Sequence, residues 1–104
     1  MRKITKDAAM AFRMDKPFKR DNTEVRIFDT ETAMYLHDHK IAWCDGENIY
    51  LSSCGYTTNT TKERLNGIIE MCYATKSRIY QRDFVWYRDD EDGNRCEFVD
   101  GELI

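Results

Sequence analysis

The sequence predicts an α+β domain: a strongly bent antiparallel sheet of about seven strands packed with two helices. Three observations carry this expectation. Residues 23–52 alternate apolar and polar side chains with a period of two, interrupted by turn-forming pairs. Two segments, 5–15 and 60–72, instead repeat their apolar residues at helical spacing. Strands joined by short turns pair antiparallel, and no strand–helix–strand unit with a Gly-rich turn occurs, which argues against a nucleotide-binding α/β fold.

The first helix is expected over 5–15. Thr5 can cap it, Asp7 sits in the first turn where the helix dipole favours a negative charge, and Ala8, Ala11 and Phe12 share one face. Pro17 ends it, because the residue before a proline avoids the helical region. A four-strand meander follows. Val25 and Ile27 alternate with Glu24, Arg26 and Phe28; Met34 and Leu36 with Ala33, Tyr35 and His37; Ile41 and Trp43 with Ala42 and Cys44; Ile49 and Leu51 with Tyr50 and Ser52. Turns are expected at Thr30-Glu31, Asp38-His39 and Asp45-Gly46, the last because glycine tolerates the positive φ of a tight hairpin.

Thr60-Thr61-Lys62-Glu63 fits a capping box that opens the second helix, with Leu65, Ile68, Ile69 and Cys72 as its apolar stripe. Gly67 weakens a helix by about 1 kcal/mol relative to alanine, and its place beside the stripe predicts close packing against the sheet. Residues 78–81 and 84–88 read as strands around Arg82-Asp83, with Phe84 and Trp86 facing one way and Val85 and Tyr87 the other. Residues 95–99 make a last strand.

The 104 residues suffice for a single domain, 1–104, and show no linker or repeat. Charged residues make up 34% and hydrophobic ones 41%, and the 12% aromatic share excludes a disordered composition. No apolar run approaches the ~20 residues of a membrane span, and the start lacks a secretory core, so a cytoplasmic location without membrane contact is expected. The net charge of −3 is sorted along the chain. Residues 1–26 hold eight Lys/Arg against four Asp/Glu, and residues 83–104 hold two against eight. The two ends either compensate one another or steer a charged partner. Cys44, Cys54, Cys72 and Cys96 lack the close pairs of a zinc site and read as reduced thiols.

Four constellations bear on function. Asp89-Asp90-Glu91-Asp92 before Gly93 resembles a calcium loop, but the EF-hand register puts Arg88 and Val99 at ligand positions, so a solvated loop or an acidic docking patch is expected. Lys62, Arg64, Lys76, Arg78 and Arg82 surround Tyr80 and Trp86, a mixture that can hold single strands by phosphate contacts and stacking. Against it, the overall charge is negative and the aromatics serve equally as core. His37-Asp38-His39 is the most enzyme-like triplet, yet a turn there parts the two imidazoles. The polar run from Tyr56 to Thr61 either cradles an anion ahead of a helix or caps its own turn. No nucleophile motif such as G-x-S-x-G appears, and no catalytic residue, metal or cofactor is assigned.

The stretches Thr57-Thr58-Asn59-Thr60-Thr61-Lys62-Glu63-Arg64-Leu65-Asn66-Gly67-Ile68 and Arg78-Ile79-Tyr80-Gln81-Arg82-Asp83-Phe84-Val85-Trp86-Tyr87 form a recognisable pattern with the opening Met1-Arg2-Lys3-Ile4-Thr5, Phe18-Lys19 and Asn22-Thr23. The chain resembles a family of small tailed-bacteriophage proteins of uncharacterised function over most of residues 1–88. The resemblance implies a non-enzymatic accessory protein that binds a host protein or nucleoprotein, in its sharpest form an inhibitor of a host defence such as CRISPR-Cas. The acidic stretch Asp89, Asp90, Glu91 and Asp92 is then the expected partner-binding loop. The alternative is a nucleic-acid-binding module using Lys62, Arg64, Arg78, Tyr80 and Arg82, and an exposed sheet edge leaves a homodimer open.

Overall fold

The computed structural model describes residues 1–73, 78–89 and 93–103. Among them run α1 (Lys3–Arg13), β1 (Phe18–Arg20), β2 (Thr23–Ile27), β3 (Thr32–Leu36), β4 (His39–Cys44) and β5 (Ile49–Leu51). Then come α2 (Asn59–Tyr73), β6 (Ile79–Arg82), β7 (Val85–Asp89), β8 (Arg95–Glu97) and β9 (Glu102–Leu103). The class is α+β as expected, but the strands form two sheets instead of one bent one. A six-stranded sheet has the order β1-β2-β3-β4-β5-β9, and a three-stranded sheet has the order β6-β7-β8. Every pairing is antiparallel. The strands beyond the expected seven are β1 and β9, which are too short to show a period.

The helices cover one face of the large sheet. Ala8, Ala9 and Phe12 of α1 and Leu65, Ile68 and Ile69 of α2 join Val25, Met34, Leu36, Ala42 and Leu51 in a single core, to which Ile79 and Trp86 of the small sheet also belong. Glycine 67 lies where α1 and α2 meet: a Cβ there would stand 2.5 Å from Thr5 Cγ2. The close approach expected at this residue is therefore made to a helix, not to the sheet.

Several local expectations are corrected. Helix α1 begins at Lys3 after Arg2, with no side-chain cap. Thr5 is buried, and its hydroxyl both donates to Glu63 and accepts from Arg64. Asp7 lies beyond the first turn, where it binds Lys3 and Arg20. Helix α1 ends before Pro17 in a left-handed residue, Asp15 at φ 54, with the Lys16 N–H bonded back to Ala11 O at 2.9 Å. The cap of α2 is Thr58, two residues earlier than expected: its hydroxyl accepts the Thr61 N–H at 3.1 Å. Glu63 reaches instead to Arg2, accepting the backbone N–H and Nε at 2.8 Å each.

Ile41 and Trp43 do not share a face. The register shifts between Met34 and Tyr35, whose partners are Ala42 and Lys40, so Ile41 is an extra residue in β4. The bulge lets Ile41 and Ala42 both turn inward and leaves Trp43 outside, stacked on Tyr50. Ile27, at the end of β2, is exposed.

Three hairpins close with two-residue loops that contain no glycine. His37 and Asp38 (φ 50 and 64) join β3 to β4, one residue earlier than expected, and Asp83 and Phe84 (φ 53 and 66) join β6 to β7. Asp21 (φ 56) turns β1 into β2. Positive φ at both central residues is the type I′ arrangement, which matches strand twist but suits Asn-Gly. Gly46, at φ 101, fills the expected role between β4 and β5.

Candidate interaction site

The small sheet is held to the rest of the molecule by α2. Asn66 presents its amide to the start of β6 as a strand would: Nδ2 donates to Ile79 O at 2.9 Å, and Oδ1 accepts from the Ile79 N–H at 2.6 Å. Ile79 and Trp86 then face inward, with Trp86 packed against Phe98 and its indole N–H buried without a partner among the described residues. The Lys62 ammonium sits 6.0 Å from the centroid of the Trp86 ring.

Alternation places Tyr80 and Tyr87, which are paired in register, on the opposite face. Their ring centroids are 6.0 Å apart. The Arg95 guanidinium from β8 lies over both rings, 5.3 Å from Tyr87 and 5.9 Å from Tyr80. A hydrogen-bonded chain fixes the group: Arg95 Nε donates to Tyr80 Oη at 3.0 Å, and Tyr80 Oη donates to Asp89 Oδ1 at 2.9 Å. These side chains form an aromatic–arginine plate on the face of the small sheet opposite Trp86.

Phe84 stands at the tip of the same hairpin. The expectation that it begins a strand and faces as Trp86 does is wrong, because the strand begins at Val85 and Phe84 is the second turn residue. It is 95% exposed, the most exposed of the large hydrophobic side chains described. A bulky residue at φ 66 is strained, and here it gains no burial in return. Arg82, beside it, is exposed.

The expected basic–aromatic set is divided by the fold. Arg64 is corrected: it is 1% exposed, a core cation whose Nε donates to Thr23 at 3.0 Å and whose Nη1 donates to Thr5 at 2.6 Å. Its nearest carboxylate, Glu63, lies 3.6 Å away, and burial above all lowers its pKa. Lys62 and Arg78 line an open groove of about 610 Å³ with Arg2, Glu63 and Asn66. Tyr80 and Arg82 lie on the small sheet. Lys76 lies outside the described residues, as do Asp90, Glu91 and Asp92 of the acidic stretch; Asp89 is the end of β7 and the acceptor of Tyr80.

Burial works to raise the Glu63 carboxyl, but the Arg2 N–H and guanidinium and the Thr5 hydroxyl outweigh it and hold the group below the usual carboxylate range. Of the eight N-terminal cations, Arg2, Lys3, Arg20 and Arg26 thus find partners in Asp7, Glu24, Asp38 and Glu63. All four cysteines are free thiols. Burial pushes Cys72 up to about 11, which makes it a packing residue and not a nucleophile. Among the described residues no group of three or more His, Cys, Asp or Glu is arranged to hold a metal, and no helix is long and apolar enough to cross a membrane.

Sequence reasoning missed Phe84, Tyr87 and Arg95. A period-two pattern through 84–88 concealed the first, and the contact of Arg95 with Tyr80 and Tyr87 depends on the pairing of β7 with β8. A family model described as Kyanoviridae Gp96 protein matches residues 1–104. No curated protein matches the chain, and no solved structure matches it.

Proposed function

This chain belongs to the Kyanoviridae Gp96 protein family of bacteriophage proteins, and on that premise we propose that it acts without catalysis, by docking on a host protein or nucleoprotein through the Phe84-tipped small sheet. The observation that carries the reading is the strained, 95% exposed Phe84 beside the Tyr80–Tyr87–Arg95 plate. Tyrosine and arginine, with large apolar anchors, supply most of the energy at protein interfaces. A side chain already fixed in place loses little freedom on binding. The sharpest version is an inhibitor of a host defence system such as CRISPR-Cas, in which the acidic residues Asp89, Asp90, Glu91 and Asp92 compete for a surface that holds nucleic acid.

The charges of the plate favour a protein partner over bare nucleic acid. Arg78, Arg82 and Arg95 are interspersed with Asp83, Asp89 and Glu97, which is not the single-sign field that phosphate binding needs. The other face of the large sheet, with Tyr35, Trp43 and Tyr50, offers aromatics too, but two of its cations are engaged: Arg26 pairs with Glu24 and Asp38, and Lys40 with Glu31.

The test is capture from phage-infected cells with wild-type chain and with Phe84→Gly, followed by direct binding of the purified partner. A host protein retained by the wild type and lost by the variant is expected. Equal retention by both overturns the assignment of this face. For the defence version, expression of the chain should restore phage plating on a CRISPR-Cas-immune host, and Phe84→Gly should not.

A further inference from the structure

We propose that a second site, independent of the Phe84 face, binds a nucleobase: the cleft between the β3–β4 turn and the start of α2. The fold brings together here two sequence features that lie far apart in the chain, His37-Asp38-His39 and the polar run from Tyr56 to Thr61. The cleft measures about 290 Å³, the small end of the range for ligand sites. Its floor is apolar, made by Leu36 and Ile41, both buried. One wall is a ring pair: His39 and Tyr56 stack with centroids 4.3 Å apart and planes 25° from parallel.

The lining selects a neutral ligand. In a chain that is 34% charged, none of the described residues that line this cleft is Asp, Glu, Lys or Arg, the Asp38 side chain standing outside the lining. A charged ligand would lose water and gain no counter-charge. The lining also selects a ring with polar edges. Around the floor stand the hydroxyls of Thr58, Thr60 and Thr61 and the imidazoles of His37 and His39, groups that both donate and accept, with the Ser53 hydroxyl, whose proton goes to Asp100, as an acceptor. Thr58 and Thr61 share one hydrogen bond between their hydroxyls at 3.0 Å, which uses one of their two protons and leaves the other to donate. A planar heteroaromatic ring with alternating donors and acceptors meets both demands, stacking on the wall and bonding to the rim.

The site is built in advance. Positive φ at His37 and Asp38 fixes the mouth, and the His37 N–H is tied to Asn22 O at 2.8 Å. Ser53 is held by Asp100, through its N–H at 2.7 Å and its hydroxyl at 3.1 Å. The Thr58 hydroxyl is held by its capping bond to Thr61. A ligand therefore meets groups already in place.

The experiment is an amide NMR titration of the full chain with adenosine and cytidine, with indole as a planar ring lacking a base's polar edge. Saturable shifts confined to residues 36–41 and 53–61 are expected, with indole at least tenfold weaker. Tyr56→Ala removes a half-exposed ring and should weaken adenosine at least tenfold while the rest of the spectrum stays folded; His39→Ala is the second variant. Phe84→Gly should leave the titration unchanged. No saturable shift, equal binding of indole, or insensitivity to both ring variants overturns the proposal. A single-stranded oligonucleotide distinguishes the source: tighter binding than adenosine supports an unpaired nucleotide as the ligand, and equal or weaker binding supports a free nucleoside.

Discussion

Replacing Phe84 by glycine should make the protein slightly more stable while abolishing docking. Phe84 sits at φ 66, where an L side chain costs about 1–2 kcal/mol and glycine nothing. The ring returns almost none of that cost. It is 95% exposed, so of the roughly 200 Å² that a phenylalanine offers only about 10 Å² is covered, or about 0.25 kcal/mol at ~25 cal/mol per Å². Glycine also loosens the unfolded chain by about 0.5–1 kcal/mol. The balance is a gain near 0.5 kcal/mol, and the turn becomes Asp-Gly, the type I′ preference. For a domain of this size the gain raises Tm by about 2–4 °C. Urea unfolding followed by Trp43 and Trp86 fluorescence, with calorimetry for Tm, measures the first half; partner capture measures the second. A variant destabilised by more than about 1 kcal/mol would refute the reasoning, because Phe84 would then be holding the fold together.

Other outcomes follow from the buried contacts. Arg64→Ala should cost about 2–4 kcal/mol in urea unfolding, since it empties a packed site and strips Thr5 and Thr23 of their donor. Gly67→Ala should destabilise by about 1–2 kcal/mol despite its better helix propensity, because the new methyl meets Thr5 Cγ2. Adding Thr5→Ser, which keeps the hydroxyl and removes that methyl, should recover most of the loss. Glu63 has a folded-state pKa below its unfolded value of 4.5, so its contribution is present above about pH 4.5 and fades as pH falls through the lower folded value. Glu63→Gln should accordingly flatten the acid limb of a stability–pH curve and lower stability at pH 7 by about 1.5–3 kcal/mol. Asn66→Ala should release the small sheet, seen as faster hydrogen exchange in β6 and β7 with β2 to β4 still protected.

Much of the fold was legible because it rests on local signals. The β2–β5 meander follows from alternation, and the apolar stripe of α2 follows from helical spacing. Gly67 marked a close contact correctly, although the contact is made by α1. What failed depended on partners distant in sequence. Arg64 reads as a surface cation on a helix, and only the approach of Thr5 and Thr23, 59 and 41 residues away, makes its burial tolerable. Thr60 was the better capping-box match, but Glu63 was drawn away by Arg2, 61 residues distant, leaving the cap to Thr58. The bulge at Ile41 has no local mark, and the turn expected at Arg82-Asp83 lies one residue later, at Asp83-Phe84, because no glycine fixes its place.

The strand that closes the large sheet gives the molecule an organisation beyond its contacts. Chain leaves the core at the end of α2, forms β6, β7 and β8, and returns to pair as β9 with β5, where the Gly101 N–H meets Leu51 O at 2.7 Å. The three-stranded hairpin is thus an excursion whose two ends are anchored in one stable frame. Substitutions on its outer face need satisfy only their neighbours there, since Ile79 and Trp86, its share of the common core, lie on the inner face. A library randomised at residues 80, 82, 84, 87 and 95, which leaves the core residues Ile79 and Trp86 in place, should therefore yield folded binders to new targets.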